Sequence, residues 1–138
     1  MSTAMTKAPT LSAITMQRSR RQIQLEYQNG ENYTLSYEYL RISSPSAEVQ
    51  GHGPGQAVLQ LDKENVLLDA IQPVGNYAVQ LFFNDGHDSG IYSWQYLYQL
   101  ATEKNARWQD YLQQLAAAGH QRNDRPSNNV VEIFEPKT

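Results

Sequence analysis

The sequence predicts an α+β domain: an antiparallel, hairpinned sheet followed by two C-terminal helices. Three observations carry this. Short runs alternating apolar with polar residues recur between positions 14 and 37, with the period of two that suits half-buried strands. Asn29-Gly30 and Asn84-Asp85-Gly86 punctuate such runs, and these residue types tolerate the backbone of tight hairpins. From Trp94 onward the apolar period lengthens to that of a helix.

Residues 1–10 are small and polar and read as a disordered tail, so the folded domain is expected over 11–119. Ile14-Thr15-Met16 and Ile23-Gln24-Leu25-Glu26-Tyr27 read as strands, and Tyr33-Thr34-Leu35-Ser36-Tyr37 returns after Asn29-Gly30. Beyond Leu40 the alternation stops. Ser44-Pro45 can open a short helical turn, with serine as N-cap and proline at the first helical position. The glycines of 51–55 require a loop. Residues 66–71 and 77–83 are the next strands; the second is apolar on both sides, as in a central strand. The turn at 84–86 leads to a strand at 89–92. Ser93 then caps a helix in which Trp94, Leu97, Tyr98 and Ala101 recur at i, i+3, i+4 and i+7, so Trp94 is expected in the core. A second helix carries Trp108, Tyr111, Leu112 and Leu115 and stops at Gly119. Residues 120–138 read as a flexible tail, polar except for Val130, Val131, Ile133 and Phe134. That short apolar cluster is expected to dock either on its own domain or on a partner's sheet.

Composition narrows the function classes. A chain of 138 residues suits one domain that buries a core without staples. Nine tyrosines supply much of the apolar area and predict rings inside with hydroxyls outside. The absence of cysteine excludes disulfides, thiolate metal sites and cysteine nucleophiles. A net charge of −3 argues against nucleic acid as a partner, and Arg18, Arg20 and Arg21 read as a solvated turn. No stretch has the length of a membrane span and residues 1–10 lack a secretory apolar run, so a cytoplasmic location is expected.

The most specific stretch runs Pro73-Val74-Gly75-Asn76-Tyr77-Ala78-Val79 and on through Phe83-Asn84-Asp85-Gly86-His87-Asp88-Ser89-Gly90-Ile91-Tyr92-Ser93-Trp94. With Leu40-Arg41 and Ser44-Pro45-Ser46-Ala47-Glu48-Val49 upstream, it resembles the gamma-butyrobetaine hydroxylase-like N-terminal domain family over residues 11–101. In the family's hydroxylases the segment after Leu-Arg carries three cysteines that, with the histidine of Asp-Gly-His, form a zinc site. The resemblance lays those positions on Ser44, Ser46, Val49 and His87. It implies that these residues share one place in space. Serine is a poor zinc ligand and valine is none, so no zinc or other cofactor is expected.

His87 then has two readings. It ties the two segments together through Ser44, Ser46 or a backbone carbonyl, or it serves a weaker zinc or iron site with His52, Asp85 and Asp88, Glu48 being a further carboxylate. His52 alone reads as a loop residue, and His120 as a cation at a helix end. Asp88-Ser89-Gly90 lacks the context of a protease nucleophile, Gly51-x-Gly53-x-Gly55 lacks that of a phosphate loop, and no histidine is placed for a facial iron triad. The resemblance covers an accessory domain without the hydroxylase's catalytic one. It implies a non-catalytic domain that engages a protein partner, with Arg41, His87, Asp88 and Tyr92 as the candidate surface. The family's fusions to other machinery, including an iron–sulfur carrier ATPase, imply that adaptor role. The alternative is a metal-binding or iron–sulfur-linked accessory protein using His87 and His52.

Overall fold

The computed structural model describes residues 7–51, 53 and 55–122. Strands β1 (Leu11–Gln17), β2 (Gln22–Tyr27) and β3 (Asn32–Ser36) form one antiparallel sheet in that order. A second is built by β4 (Leu68–Val74), β5 (Ala78–Phe83) and β6 (Ile91–Ser93), again in order. The α+β class and the antiparallel hairpins match the sequence reading, but the strands divide between two sheets rather than sharing one.

The division begins at Ser36. Its hydroxyl accepts the Tyr39 N–H at 3.0 Å, satisfying one of the free donors of a helix start. The strand expected to run through Tyr37 therefore stops there, and helix α1 (Tyr37–Ile42) takes over. Five of its six residues are buried. A second short helix, α2 (Ala47–Gln50), is capped by Ser46, whose side chain accepts the Glu48 N–H, and not by Ser44 as expected. The irregular stretch after it delivers the chain to β4, which pairs with β5 and leaves the first sheet alone.

Helices α3 (Trp94–Thr102) and α4 (Lys104–Ala117) follow, with Ser93 capping α3 as its sequence predicts. The stripe of α3 buries Leu97, Tyr98, Leu100 and Ala101. Trp94 is only half-buried, contrary to expectation. It sits in the first turn, where the indole N–H donates to the Asn76 carbonyl at 2.7 Å, and this holds the ring at the β4–β5 turn instead of in the core. Tyr77, expected as the first residue of a strand covered on both faces, is 57% exposed because Val74 pairs with Ala78 and leaves 75–77 as the turn, with Gly75 at φ 54°.

The tyrosines depart from the expected arrangement of ring inside and hydroxyl outside. Tyr39 and Tyr92 are wholly buried, and their hydroxyls donate to the carbonyls of Leu100 and Leu40 at 2.7 and 2.6 Å. Tyr96 donates to Ser43 at 2.6 Å. These acceptors lie in or beside the last turns of α1 and α3, where helix carbonyls have no partner of their own. The hydroxyls thus bolt α1 to α3 and to β6 around a core of Ile23, Leu25, Leu35, Leu40, Leu68, Leu81 and Leu97.

The folded unit starts before residue 11: Ala8 N–H donates to Gln95, and the Thr10 carbonyl accepts from Gln28. It also extends past 119, since Arg122 pairs with Glu38 through two guanidinium nitrogens. Among the described residues no helix is long and apolar enough to cross a membrane. The apolar cluster at 130–134 lies outside the described residues.

Candidate functional site

Two places on this fold differ from an ordinary surface. The first is the cluster where the 43–49 segment meets the β5–β6 turn. The Arg41 guanidinium donates from Nε to Asp85 at 2.9 Å and from Nη1 to Gln60 at 3.1 Å, and Lys63 donates to the same Asp85 oxygen at 2.8 Å. Burial pushes the Asp85 carboxyl up. Hydrogen bonds from Lys63, the His87 backbone and Arg41 outweigh that and hold it at about 2.

Next to this ion pair, His87 Nε2 lies 2.8 Å from Ser44 Oγ and Nδ1 lies 2.8 Å from the Glu48 carboxylate. A carboxylate accepts only, so Nδ1 carries the proton, Nε2 accepts, and the Ser44 hydroxyl donates to it. Ser44 Oγ in turn accepts the Ser46 N–H at 3.2 Å, and the Ser46 and Ser89 hydroxyls bond at 2.8 Å. Burial holds the His87 imidazole below its ordinary value. Arg41 adds to this, and Glu48 and Asp85 oppose it. The ring is therefore neutral at pH 7.

Serine, imidazole and carboxylate in series have the connectivity of a hydrolytic triad, but here it cannot work as one. Ser44 is fully buried. Gly90 packs so closely over it that a β-carbon there would stand 2.6 Å from Ser44 Oγ. No acyl group can reach this oxygen. Of the two readings of His87, the geometry gives the tie between segments.

The structure brings Ser44, Ser46 and His87 to one place, as the resemblance implies, and Val49 is buried on the short helix that Ser46 caps. The donor set does not fit zinc. Val49 is a buried apolar plug, both His87 nitrogens are engaged by protein groups, and the remaining donors are two hydroxyls. Among the described residues no group of three histidine, cysteine or acidic side chains could hold a metal ion. His52 lies outside the described residues. Of its supposed co-ligands, Asp85 faces Arg41 and Lys63, and Asp88 is exposed with its carbonyl accepting from Gln80. Neither carboxylate approaches the His87 ring as Glu48 does. The set Arg41, His87, Asp88 and Tyr92 is not one surface: the first two are spent inside the cluster and Tyr92 is wholly buried, which leaves Asp88. Gly90, which makes room for Ser44, escaped the sequence reading because only the packing shows its role.

The second place is a groove of about 920 Å³ between the two sheets. Ile14 and Met16 of β1 form one wall, Ile71 and Pro73 of β4 the other, and Tyr77 and Trp94 stand at its end. Its large apolar side chains are half-buried and Tyr77 is exposed, whereas β2 buries every second residue. The sequence reading missed it because its walls lie about sixty residues apart.

No curated protein matches the chain. Several solved structures resemble it. One solution structure is 46% identical with a TM-score of 0.73, covering 92% of this chain and 98% of that one. Another is 43% identical with a TM-score of 0.74, covering 96% of each. A crystal structure of a protein of unknown function from Acidithiobacillus ferrooxidans is 33% identical with a TM-score of 0.57, covering 67% of this chain and 92% of that one. The family described as gamma-butyrobetaine hydroxylase-like, N-terminal, matches residues 14–98, the span that holds the whole Ser44–His87 cluster and both sheets except the start of β1, and the chain belongs to that family.

Proposed function

We propose that this chain is a non-catalytic interaction domain of the cytoplasm that binds a protein partner through the groove between β1 and β4. The carrying observation is the contrast in access. The only described assembly with the wiring of a catalytic relay is sealed around Ser44, while along the groove apolar side chains stay half-covered and Tyr77 is exposed. Uncovered apolar surface of this kind marks interaction sites. A net charge of −3 supports a protein partner over nucleic acid.

Affinity capture from native extract, with partners identified by mass, tests the reading when three baits are compared. The wild type and Ser89→Ala should hold the same partner, and Tyr77→Asp should lose it while melting like the wild type. Retention of the partner by Tyr77→Asp would count against the groove. Stoichiometric zinc or iron in protein purified without added metal would overturn the reading in favour of a metal-linked accessory protein using His87 and His52.

A further inference from the structure

We propose that the groove takes residues 130–135 of this same chain as an added strand on the free edge of β1. The inference rests on reading the groove as a site for an extended segment, and it names the first occupant.

The edges decide where a strand can add. β1 and β4 are each the outer strand of their sheet, and both line the groove. β4 carries Pro73, which has no N–H to offer, one of the usual ways of blunting an edge. β1 has no proline and no charge from Leu11 to Gln17, and its register shift between Leu11 and Ala13 touches only its start. From Ala13 onward the edge is unprotected, and half its backbone groups point away from β2 with no protein partner among the described residues.

Charge points to the occupant. Lys7 precedes β1, while Arg18, Arg20 and Arg21 follow it, and no acidic residue occurs between Lys7 and Leu25. In a chain of net charge −3 this edge is locally cationic. Residues 130–135 read Val-Val-Glu-Ile-Phe-Glu, four large apolar side chains with two carboxylates. A strand seated between two walls is covered on both faces, so an apolar run without clean alternation suits it. Length agrees as well. Six residues extend over about 20 Å, the scale of β1. The described chain ends at Arg122, held on Glu38 and over the Trp108 ring, and seven residues separate it from 130. Added strands of this type draw affinity from the main chain and specificity from side-chain pockets.

The test compares the full wild-type chain with the full chain carrying Ile133→Asp and Phe134→Asp. Amide exchange within Ala13–Met16 should be at least tenfold faster in the variant, with Trp94 emission shifted to the red. The synthetic hexapeptide Val-Val-Glu-Ile-Phe-Glu, added to the variant, should reverse both changes. Equal exchange in the two chains overturns the proposal. So does protection that falls on dilution and persists in the variant, which assigns the groove to a second copy. If the hexapeptide fails while Tyr77→Asp still abolishes partner capture, the proposal is wrong and the interaction reading stands. If the hexapeptide protects β1 while capture is indifferent to Tyr77→Asp, the proposal holds and the interaction reading fails.

Discussion

The Ser44–His87 cluster and the β1–β4 groove invert the usual placement of polar and apolar groups. In the cluster, Arg41, Ser44 and His87 are buried, and each finds a partner within 2.9 Å. At the groove, Tyr77 is 57% exposed and the indole of Trp94 is half-covered. A buried polar group is stable only when its hydrogen bonds are met, and then it rigidifies what surrounds it. Uncovered apolar surface gains free energy only when something covers it. One region therefore holds the molecule's two halves of sequence together, and the other is left to engage. The lesson is that residues with catalytic chemistry in their side chains can be wholly structural, and bland aliphatic ones can be the working surface.

Breaking the ion pair should show the largest difference. Arg41→Ala leaves Asp85 with Lys63 and the His87 N–H and removes the bond to Gln60. We expect a loss of about 3 kcal/mol in denaturant unfolding, from the charge-assisted bonds and the packing of the buried Arg41 stem together. A loss below that of an ordinary surface substitution would mean the cluster does not hold the fold.

Gly90→Ala comes next. The new methyl would press on Ser44 Oγ and on the Tyr92 ring at 3.0 Å. Overpacking of this kind costs about 2 kcal/mol. An unchanged melting curve would show that the cluster has slack.

His87→Gln should cost about 1 kcal/mol, since an amide can restore part of the bonding. Its sharper signature is pH dependence. The imidazole is held below its ordinary value of 6.5, so the folded state resists protonation more than the unfolded chain does. Its contribution is present above that value and is lost as pH falls through the lower folded one. Wild-type stability should therefore drop below pH 6.5, and the slope should flatten in the variant. The Asp85 contribution belongs to a separate window, from its ordinary 3.8 down to about 2.

Tyr77→Ser, at the groove, should change stability by no more than about 0.5 kcal/mol. Loss of stability on the scale of Gly90→Ala would place Tyr77 in the folded framework and erase the contrast between the two regions.

The α+β class, both helices and the two hairpin turns were legible because each rests on local rules: periodicity, Asn-Gly and Asp-Gly turns, and the Ser93 cap. The meeting of Ser44, Ser46 and His87 was legible only through the family resemblance, since no local signal links residues 43 positions apart. Helix α1 was missed because Tyr37, Tyr39 and Leu40 continue an apolar alternation that suits a strand equally well. Its cap at Ser36 decided between the two. The burial of Tyr92 and the exposure of Tyr77 were invisible for a different reason: the same residue type serves as a core bolt or as a groove rim according to what lies across from it.

The sequence by itself determined most of the strands, the two C-terminal helices, the hairpin turns at Asn29-Gly30 and Asp85-Gly86, and that no thiolate chemistry exists here. Those properties follow from backbone preference and composition, which act within a few residues. Only the tertiary structure decided that the strands split into two sheets, that Gly90 closes over Ser44, and that β1 and β4 face each other across an open groove. Each of these depends on contacts between distant segments, where packing and hydrogen-bond satisfaction choose among pairings that local preference leaves equal.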